Sequence, residues 1–265
     1  MKETVLITGA SSGIGLELAK CFAADKSNLV LVARNTAALE TLAAELRGKY
    51  KIEIHVITAD LSQVGAAQFI FDAVQGRGLV VDVLVNNAGF GLHGSFAELP
   101  LARQLEIIQV NVASLVALTG LFLPVMIQRK QGGVLNVGSV AGFVPGPEMA
   151  VYCATKAFVQ SFTEAIAEEL PGTGVTVTAF CPGATDTNFG QVARGSKQRR
   201  NNVAKMPADI AARCGHRDFR AGKVVSVPGL GNRLVIFLIR FLPRWLPRRL
   251  FKHYNRMDEN PAAGK

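Results

Sequence analysis

The sequence predicts one α/β domain built on a doubly wound parallel sheet, and three observations carry that reading. Short β-branched runs recur along the first 180 residues and are apolar at consecutive positions, as in strands buried on both faces. Stretches with helical spacing separate them, such as Leu39, Leu42, Ala43 and Leu46. The first run leads straight into a glycine-rich turn. With 265 residues, 49% of them hydrophobic and 18% charged, the chain can bury such a core, and a disordered chain is excluded.

The elements follow in order. Thr4–Thr8 reads as the first strand, and a helix opens near Ile14. Strands are expected at Leu29–Ala33, Ile52–Ala59, Val80–Val85, Val134–Val137 and Val175–Cys181, with a last one in Gly222–Pro228. Ile107–Gln128 carries no charge over 22 residues, but Asn111, Ser114, Thr119, Gly120 and Pro124 interrupt it mid-fold. A buried or subunit-facing helix is expected there, not a membrane span. Residues 1–185 form the expected core, 186–222 a substrate-loop region, and 223–265 the last strand and a basic, apolar tail.

The turn after the first strand, Thr8-Gly9-Ala10-Ser11-Ser12-Gly13-Ile14-Gly15, has a physical use. Its glycines let the backbone approach a pyrophosphate, and the following helix aims its N-terminal N–H groups at that anion. Tyr152 and Lys156, four apart, share one helix face. A tyrosine with a pKa of about 10 transfers protons poorly at neutral pH. A neighbouring ammonium is expected to lower that value and make Tyr152 a general acid or base. Ser139 follows the strand Val134–Val137, at the carboxyl edge where open α/β sheets bind ligands.

These motifs resemble the classical short-chain dehydrogenase/reductase family, over about residues 3–190. TGASSGIG is similar to its glycine motif, and the cofactor contacts of Gly9, Ser11, Ser12, Gly13, Ile14 and Gly15 follow from that likeness. Asp60-Leu61 resembles the site that holds the adenine, and Asn86-Asn87-Ala88-Gly89 the family's NNAG. Asn111, Ser139, Tyr152 and Lys156 match the catalytic set, and Pro182-Gly183 with Thr187 the segment that meets the nicotinamide carboxamide. The resemblance implies a Rossmann fold and a hydride transfer between a nicotinamide cofactor and a carbonyl or secondary alcohol. Ser139 would orient the carbonyl, Lys156 would also bind the ribose, and Asn111 would hold a water beside Lys156. It further implies a homodimer or homotetramer joined through the helices that hold Asn111 and Tyr152.

Cofactor choice is read after the second strand, at Ala33-Arg34-Asn35. No carboxylate stands there for a ribose 2′-OH, and the Arg34 guanidinium suits a 2′-phosphate, so NADP(H) is expected ahead of NAD(H). The glycine loop lacks the second basic residue of many NADP-preferring relatives; Ser12 stands there. Cys21, Cys153, Cys181 and Cys214 lie far apart with no metal spacing, so reduced thiols, no metal and a cytoplasmic chain without a secretory leader are expected. Cys153 reads as a packing residue. His55, His93, His216 and His253 share no ligand spacing, and His93 reads as a surface-loop histidine.

The net charge of +9 is unevenly spread: −4 over residues 1–186 and +14 over 187–256. Asp186–Phe219, with Arg194, Lys197, Arg199, Arg200 and Lys205, reads as a mobile basic loop that could close over substrate or favour a phosphorylated carrier. Residues 233–256 mix Arg240, Arg244, Arg248, Lys252 and Arg256 with Phe237, Phe241, Trp245 and Phe251. Pro243 and Pro247 should divide that segment into two short helical pieces. Peripheral contact with an anionic membrane, docking on the fold and a subunit contact all suit it; nucleic acid does not, for lack of a recognition motif. The leading expectation is an NADPH-dependent reductase of a lipophilic ketone or 3-oxoacyl thioester. The alternatives are an NAD-dependent alcohol dehydrogenase and a non-catalytic NADP-binding interaction protein.

Overall fold

The structure is a computed structural model that describes residues 2–194, 198–199, 205–255 and 257–258. Seven parallel strands form the central sheet: β1 (Thr4–Thr8), β2 (Asn28–Ala33), β3 (Ile54–Thr58), β4 (Val83–Asn86), β5 (Gly132–Val137), β6 (Val175–Phe180) and β7 (Val225–Ser226). Their order is β7-β6-β5-β4-β1-β2-β3, so the winding reverses between β1 and β4. Helices α1 (Gly13–Ala24), α2 (Thr36–Tyr50) and α8 (Ala208–Arg220) cover one face. Helices α3 (Ala66–Gln75), α5 (Ser114–Gln128) and α6 (Ala150–Glu169) cover the other.

The period of two explains why the strand sequences lack alternation. Val5 and Ile7 of β1 enter the layer under α1 and α2, and Leu6 enters the opposite layer. Both faces are buried, so apolar residues stand at consecutive positions. A buried polar ladder crosses the β4–β5 pair. Asn86 Nδ2 donates to Asn136 Oδ1 (2.9 Å) and Thr119 Oγ1 (3.1 Å), and Asn136 Nδ2 donates to Thr163 Oγ1 (3.0 Å).

Several element limits differ from the sequence reading. β3 begins at Ile54, because Lys51 takes a left-handed conformation (φ 57°) to close α2. β4 begins at Val83 and not at Val80. β7 keeps two residues of the seven expected, between the left-handed Gly222 (φ 68°) and Pro228, which lacks an N–H. The uncharged stretch belongs to a longer helix, α4 (Leu101–Ile108) running into α5 through a π-helical turn at Gln109–Ala113. By length and composition that helix could cross a membrane, yet Leu118, Phe122 and Met126 pack in the core against the sheet.

The reading of Asp186–Phe219 as one mobile loop is corrected. Its second half is α8, whose Ala211, Ala212 and Phe219 are buried in the core with α1. The short helix α7 (Phe189–Arg194) precedes it. Lys197 and Arg200 lie outside the described residues, as do Arg256 and the side chains of Arg194, Arg199 and His253. Lys205 is exposed, 3.4 Å from Asp186. The tail forms two helices, α9 (Leu230–Ile239) and α10 (Trp245–Asn255). Pro243 lies in the break between them. Pro247 sits inside the first turn of α10, where a missing N–H costs little.

Candidate active site

The carboxyl ends of the strands bring the motifs together around the switch between β1 and β4. Thr8 knits that switch: its hydroxyl accepts from the backbone N–H of Asn87 and of Ala88, each at 3.0 Å, and donates to Val85 O (3.2 Å). Asn87 Nδ2 donates in return to the carbonyls of Thr8 (2.8 Å) and Gly9 (3.2 Å). Gly9 is left-handed (φ 66°), and a Cβ there would lie 2.9 Å from Ala88 Cα. A Cβ on Gly15 would collide with Asn87 Nδ2 and the Gly9 carbonyl. Only glycine fits at these two points.

Gly13, also left-handed, opens α1 behind Ser11 and an extended, exposed Ser12 whose side chain makes no cap. The first N–H groups of α1 around Ile14 therefore suit an anionic ligand. Thr187 packs against Gly13, 3.2 Å from where its Cβ would stand. This cradle fits the pyrophosphate of a dinucleotide.

Arg34 lies exposed beyond β2, and Asn35 accepts from Ala38 N (3.1 Å) to cap α2. Asp60 Oδ1 accepts from Ser62 N (3.0 Å), and Leu61 is buried with its carbonyl taken by the Ser114 hydroxyl (2.7 Å). Burial pushes the Asp60 carboxyl up, but the Ser62 hydrogen bonds and the Arg34 charge outweigh it and hold the carboxyl below its usual range. At the other end Val140 N donates to Pro182 O (3.0 Å), and Asn232 of α9 presses on Gly183.

The four expected catalytic residues converge. Ser139 Oγ accepts from Ala141 N (3.1 Å) and lies beside the Tyr152 phenol. Lys156 is buried, donates to Val137 O (2.7 Å) and lies 5.9 Å from the Tyr152 ring centre. A Cβ on Gly89 would stand 3.0 Å from Asn111 Oδ1 and 3.5 Å from Lys156 Nζ, so Gly89 lets both approach. Asn111 sits in the π-helical turn, a distortion common at functional sites. Its Nδ2 donates to Phe90 O (3.0 Å) and Thr155 Oγ1 (3.1 Å).

The expected electrostatics are corrected. Burial pushes the Tyr152 phenol well above its ordinary value, and the Ser139 hydrogen bond offsets this only in part. Burial also lowers Lys156 to about 8, with the Cys181 side opposing it. In the protein alone desolvation sets the direction for both groups, against the charged form of each. Burial raises Cys153 to about 11 and Cys181 to about 12, so both are thiols at neutral pH. His93 is also corrected: its side chain is buried, with Nε2 3.3 Å from Glu148 Oε2, and its backbone N–H donates to Ala193 O (2.8 Å) of α7.

Some participants escaped the sequence reading. Phe189 of α7 leans on Tyr152, with ring centres 5.2 Å apart. A small gap of about 10 Å³ beside Tyr152 is lined by Leu92, Phe96, Leu99, Gln104, Ile107 and Met149. Thr155 had a local signal, its place beside Lys156; Phe189 had none.

Comparison with known proteins agrees with this arrangement. Residues 3–198 match the family model described as short chain dehydrogenase. An NADP-dependent 3-hydroxy acid dehydrogenase of Schizosaccharomyces pombe is 34% identical over 220 residues, 79% of this chain and 84% of the yeast protein. A very-long-chain 3-oxoacyl-CoA reductase of Coprinopsis cinerea is 35% identical over 65% of this chain, which spans about half (51%) of that relative. A short-chain dehydrogenase of Sphingobium yanoikuyae, solved in complex with NADPH, superposes with a TM-score of 0.80 at 31% identity, covering 91% of this chain and 97% of the other. With its seven-stranded parallel sheet and its glycine cradle, this chain belongs to the short-chain dehydrogenase family and is an oxidoreductase.

Proposed function

We propose that the protein is an NADP(H)-dependent carbonyl reductase of a lipophilic ketone or 3-oxoacyl thioester, with Tyr152 as general acid. The observation that carries this is the convergence of Ser139 and Tyr152, with Lys156 buried 5.9 Å from the Tyr152 ring centre. Cofactor identity rests on Arg34 at the end of β2, on the NADP dependence in the yeast relative's name and on the NADPH in the Sphingobium structure.

NADPH held at the glycine turn of Gly9, Gly13 and Gly15 would supply the hydride for the carbonyl carbon. Ser139, whose oxygen already accepts from Ala141, offers its O–H to the carbonyl oxygen and fixes the angle of attack. Tyr152 gives its phenolic proton to that oxygen as the alcohol forms. Lys156 neutralises the tyrosinate left behind. Asn111 holds the turn after β4 against Lys156. In the reverse direction Tyr152 takes the alcohol proton.

The lipophilic class is supported by the acyl substrate named for the Coprinopsis relative. The deciding experiment follows NADPH and NADH oxidation with carbonyls of rising chain length. Turnover with NADPH that strengthens with chain length is expected. Measurable NADPH binding with no turnover on any carbonyl would overturn the reading.

A homo-oligomer is part of the same proposal. Leu101, Leu105 and Ile108 line one exposed stripe of α4, and Phe158 of α6 stacks on Phe162 (5.6 Å) while remaining exposed. A groove of about 370 Å³ opens between α3 and α5, beside Gly120. Light scattering should report a dimer or larger, and Ile108→Asp with Phe158→Asp should yield monomer.

A further inference from the structure

We propose that α9 and α10 form a docking element for an anionic lipid surface, rooted against the turn that follows Ser139. The docking stands on its own observations; only its link to a lipophilic substrate rests on the reductase reading.

A surface helix normally buries a stripe of three or four residues per two turns. Helix α9 buries Ile236 alone. Leu230, Leu234, Phe237 and Leu238 are each more than half exposed, and Phe241 and Trp245 continue the patch at 72% and 50% exposure. Phe237 and Phe241 pair edge to face with centres 5.1 Å apart, so the aromatic surface is ordered yet left to solvent. A contiguous apolar patch of this kind marks a contact surface.

The charge around the patch selects the partner. Arg240, Arg244, Arg248, Arg249 and Lys252 are all exposed, and residues 219–257 contain no Asp or Glu. A two-fold contact of this patch with itself would set these cations against each other. An anionic bilayer matches both features. Aromatic and aliphatic side chains enter the headgroup boundary, and long basic side chains reach the phosphates. Arg249 already lies 5.4 Å over the Trp245 ring, an aromatic–cation pair suited to that boundary.

The root of the element gives the docking a use. Ile236 packs with Cys181 and Val227 against Val140 and Phe143, in the turn directly after Ser139. Asn232 touches Gly183. A helix lying on a bilayer would thus hold the turn that carries Ser139 close to the phase in which a lipophilic ketone is dissolved.

Trp245 is the sole tryptophan, so its emission reads the contact directly. The full chain would be mixed with vesicles of phosphatidylcholine alone and with vesicles that also contain phosphatidylglycerol, and both emission and co-sedimentation followed. The expected result is a blue shift and binding tighter by about tenfold or more on the anionic vesicles, reversed by high salt. Arg240→Glu with Arg244→Glu and Arg248→Glu should abolish the shift, and so should Phe237→Ser with Phe241→Ser at low salt. All five positions are exposed, so the variants should fold and keep NADPH-dependent turnover of a short, water-soluble ketone. Tyr152→Phe should lose turnover and still bind vesicles, which separates failure of the docking from failure of the reductase reading. Absence of both shift and co-sedimentation on anionic vesicles would overturn the proposal. So would a Trp245 shift that tracks protein concentration without lipid, which would make the patch a contact between copies.

Discussion

Asn111 grips Phe90 by both ends of its peptide: Nδ2 donates to the Phe90 carbonyl at 3.0 Å, and Oδ1 accepts from the Phe90 N–H at 3.1 Å. The helix behind β5 is thereby tied to the loop after β4. Asn111→Leu would leave two backbone groups without partners at a site that is 1% exposed. A loss of about 2–4 kcal/mol in urea unfolding is expected, with turnover falling further than the stability change explains. Asn111→Asp, which keeps the acceptor, should lose less in both.

Lys156 titrates near 8 in the protein alone because burial disfavours its charge, whereas burial raises Tyr152. Reduction needs protonated Tyr152 and charged Lys156. The kcat/KM for ketone reduction should therefore hold from pH 6 to about 8 and decline above it. Lys156→Arg should remove that decline while lowering the plateau, since a guanidinium stays charged. Stability should move the opposite way. The folded value lies below that of the unfolded lysine, so the unfolded chain binds more protons between about 8 and 10.5, and stability rises with pH across that window.

Arg34→Asp should exchange a phosphate partner for a ribose-hydroxyl partner. The ratio of kcat/KM for NADPH over NADH should fall by about 10-fold to 1000-fold, the range of one or two charge-assisted hydrogen bonds. A ratio unchanged by the substitution would assign cofactor choice elsewhere.

Gly15→Ala tests the cradle. The added methyl meets the Gly9 carbonyl and Asn87 Nδ2, both held in the β1–β4 switch. A cost of about 1–3 kcal/mol and weaker NADPH binding are expected, read by melting with and without cofactor. Gly120→Ala is the control, since no atom lies within 4 Å of its would-be Cβ.

Arg220 of α8 makes a two-pronged contact with Glu3 (2.7 and 2.6 Å) and reaches Asp25 (3.0 Å). Burial raises the Glu3 carboxyl, but bonds from Arg220 and Ser27 prevail and hold it below 4.5. A lowered carboxyl stabilises above its unfolded value, and the gain is lost as pH falls through the folded one. Arg220→Met should thus lower stability by up to about 1 kcal/mol at pH 7, and the gap to the natural chain should narrow as pH falls through the lowered Glu3 value.

The sequence was most readable where one residue type meets one backbone demand. Consecutive apolar residues located six strands because the sheet is buried on both faces, and Gly9 and Gly15 marked the close approach of two chain segments. Tyr152, Lys156 and Ser139 were legible from spacing and lie together in the fold. Burial was not legible. It reversed the expected shift of Tyr152, placed His93 inside and made Asp186–Phe219 half helix. Nor was Phe189 legible, since only folding brings it to Tyr152.

The π-helical turn at Gln109–Ala113 also absorbs one residue without disturbing the helices on either side. It accommodates one residue more than an α-helix would over the same length. Deleting Val110 should therefore let the turn close as ordinary α-helix and leave Leu118, Phe122 and Met126 on the sheet. What would be lost is the bulge that holds Asn111 against Phe90, so the site should suffer and the core should not. A deletion further along α5 has no such outlet: each residue turns a helix by about 100°, and the residues beyond it would leave the sheet.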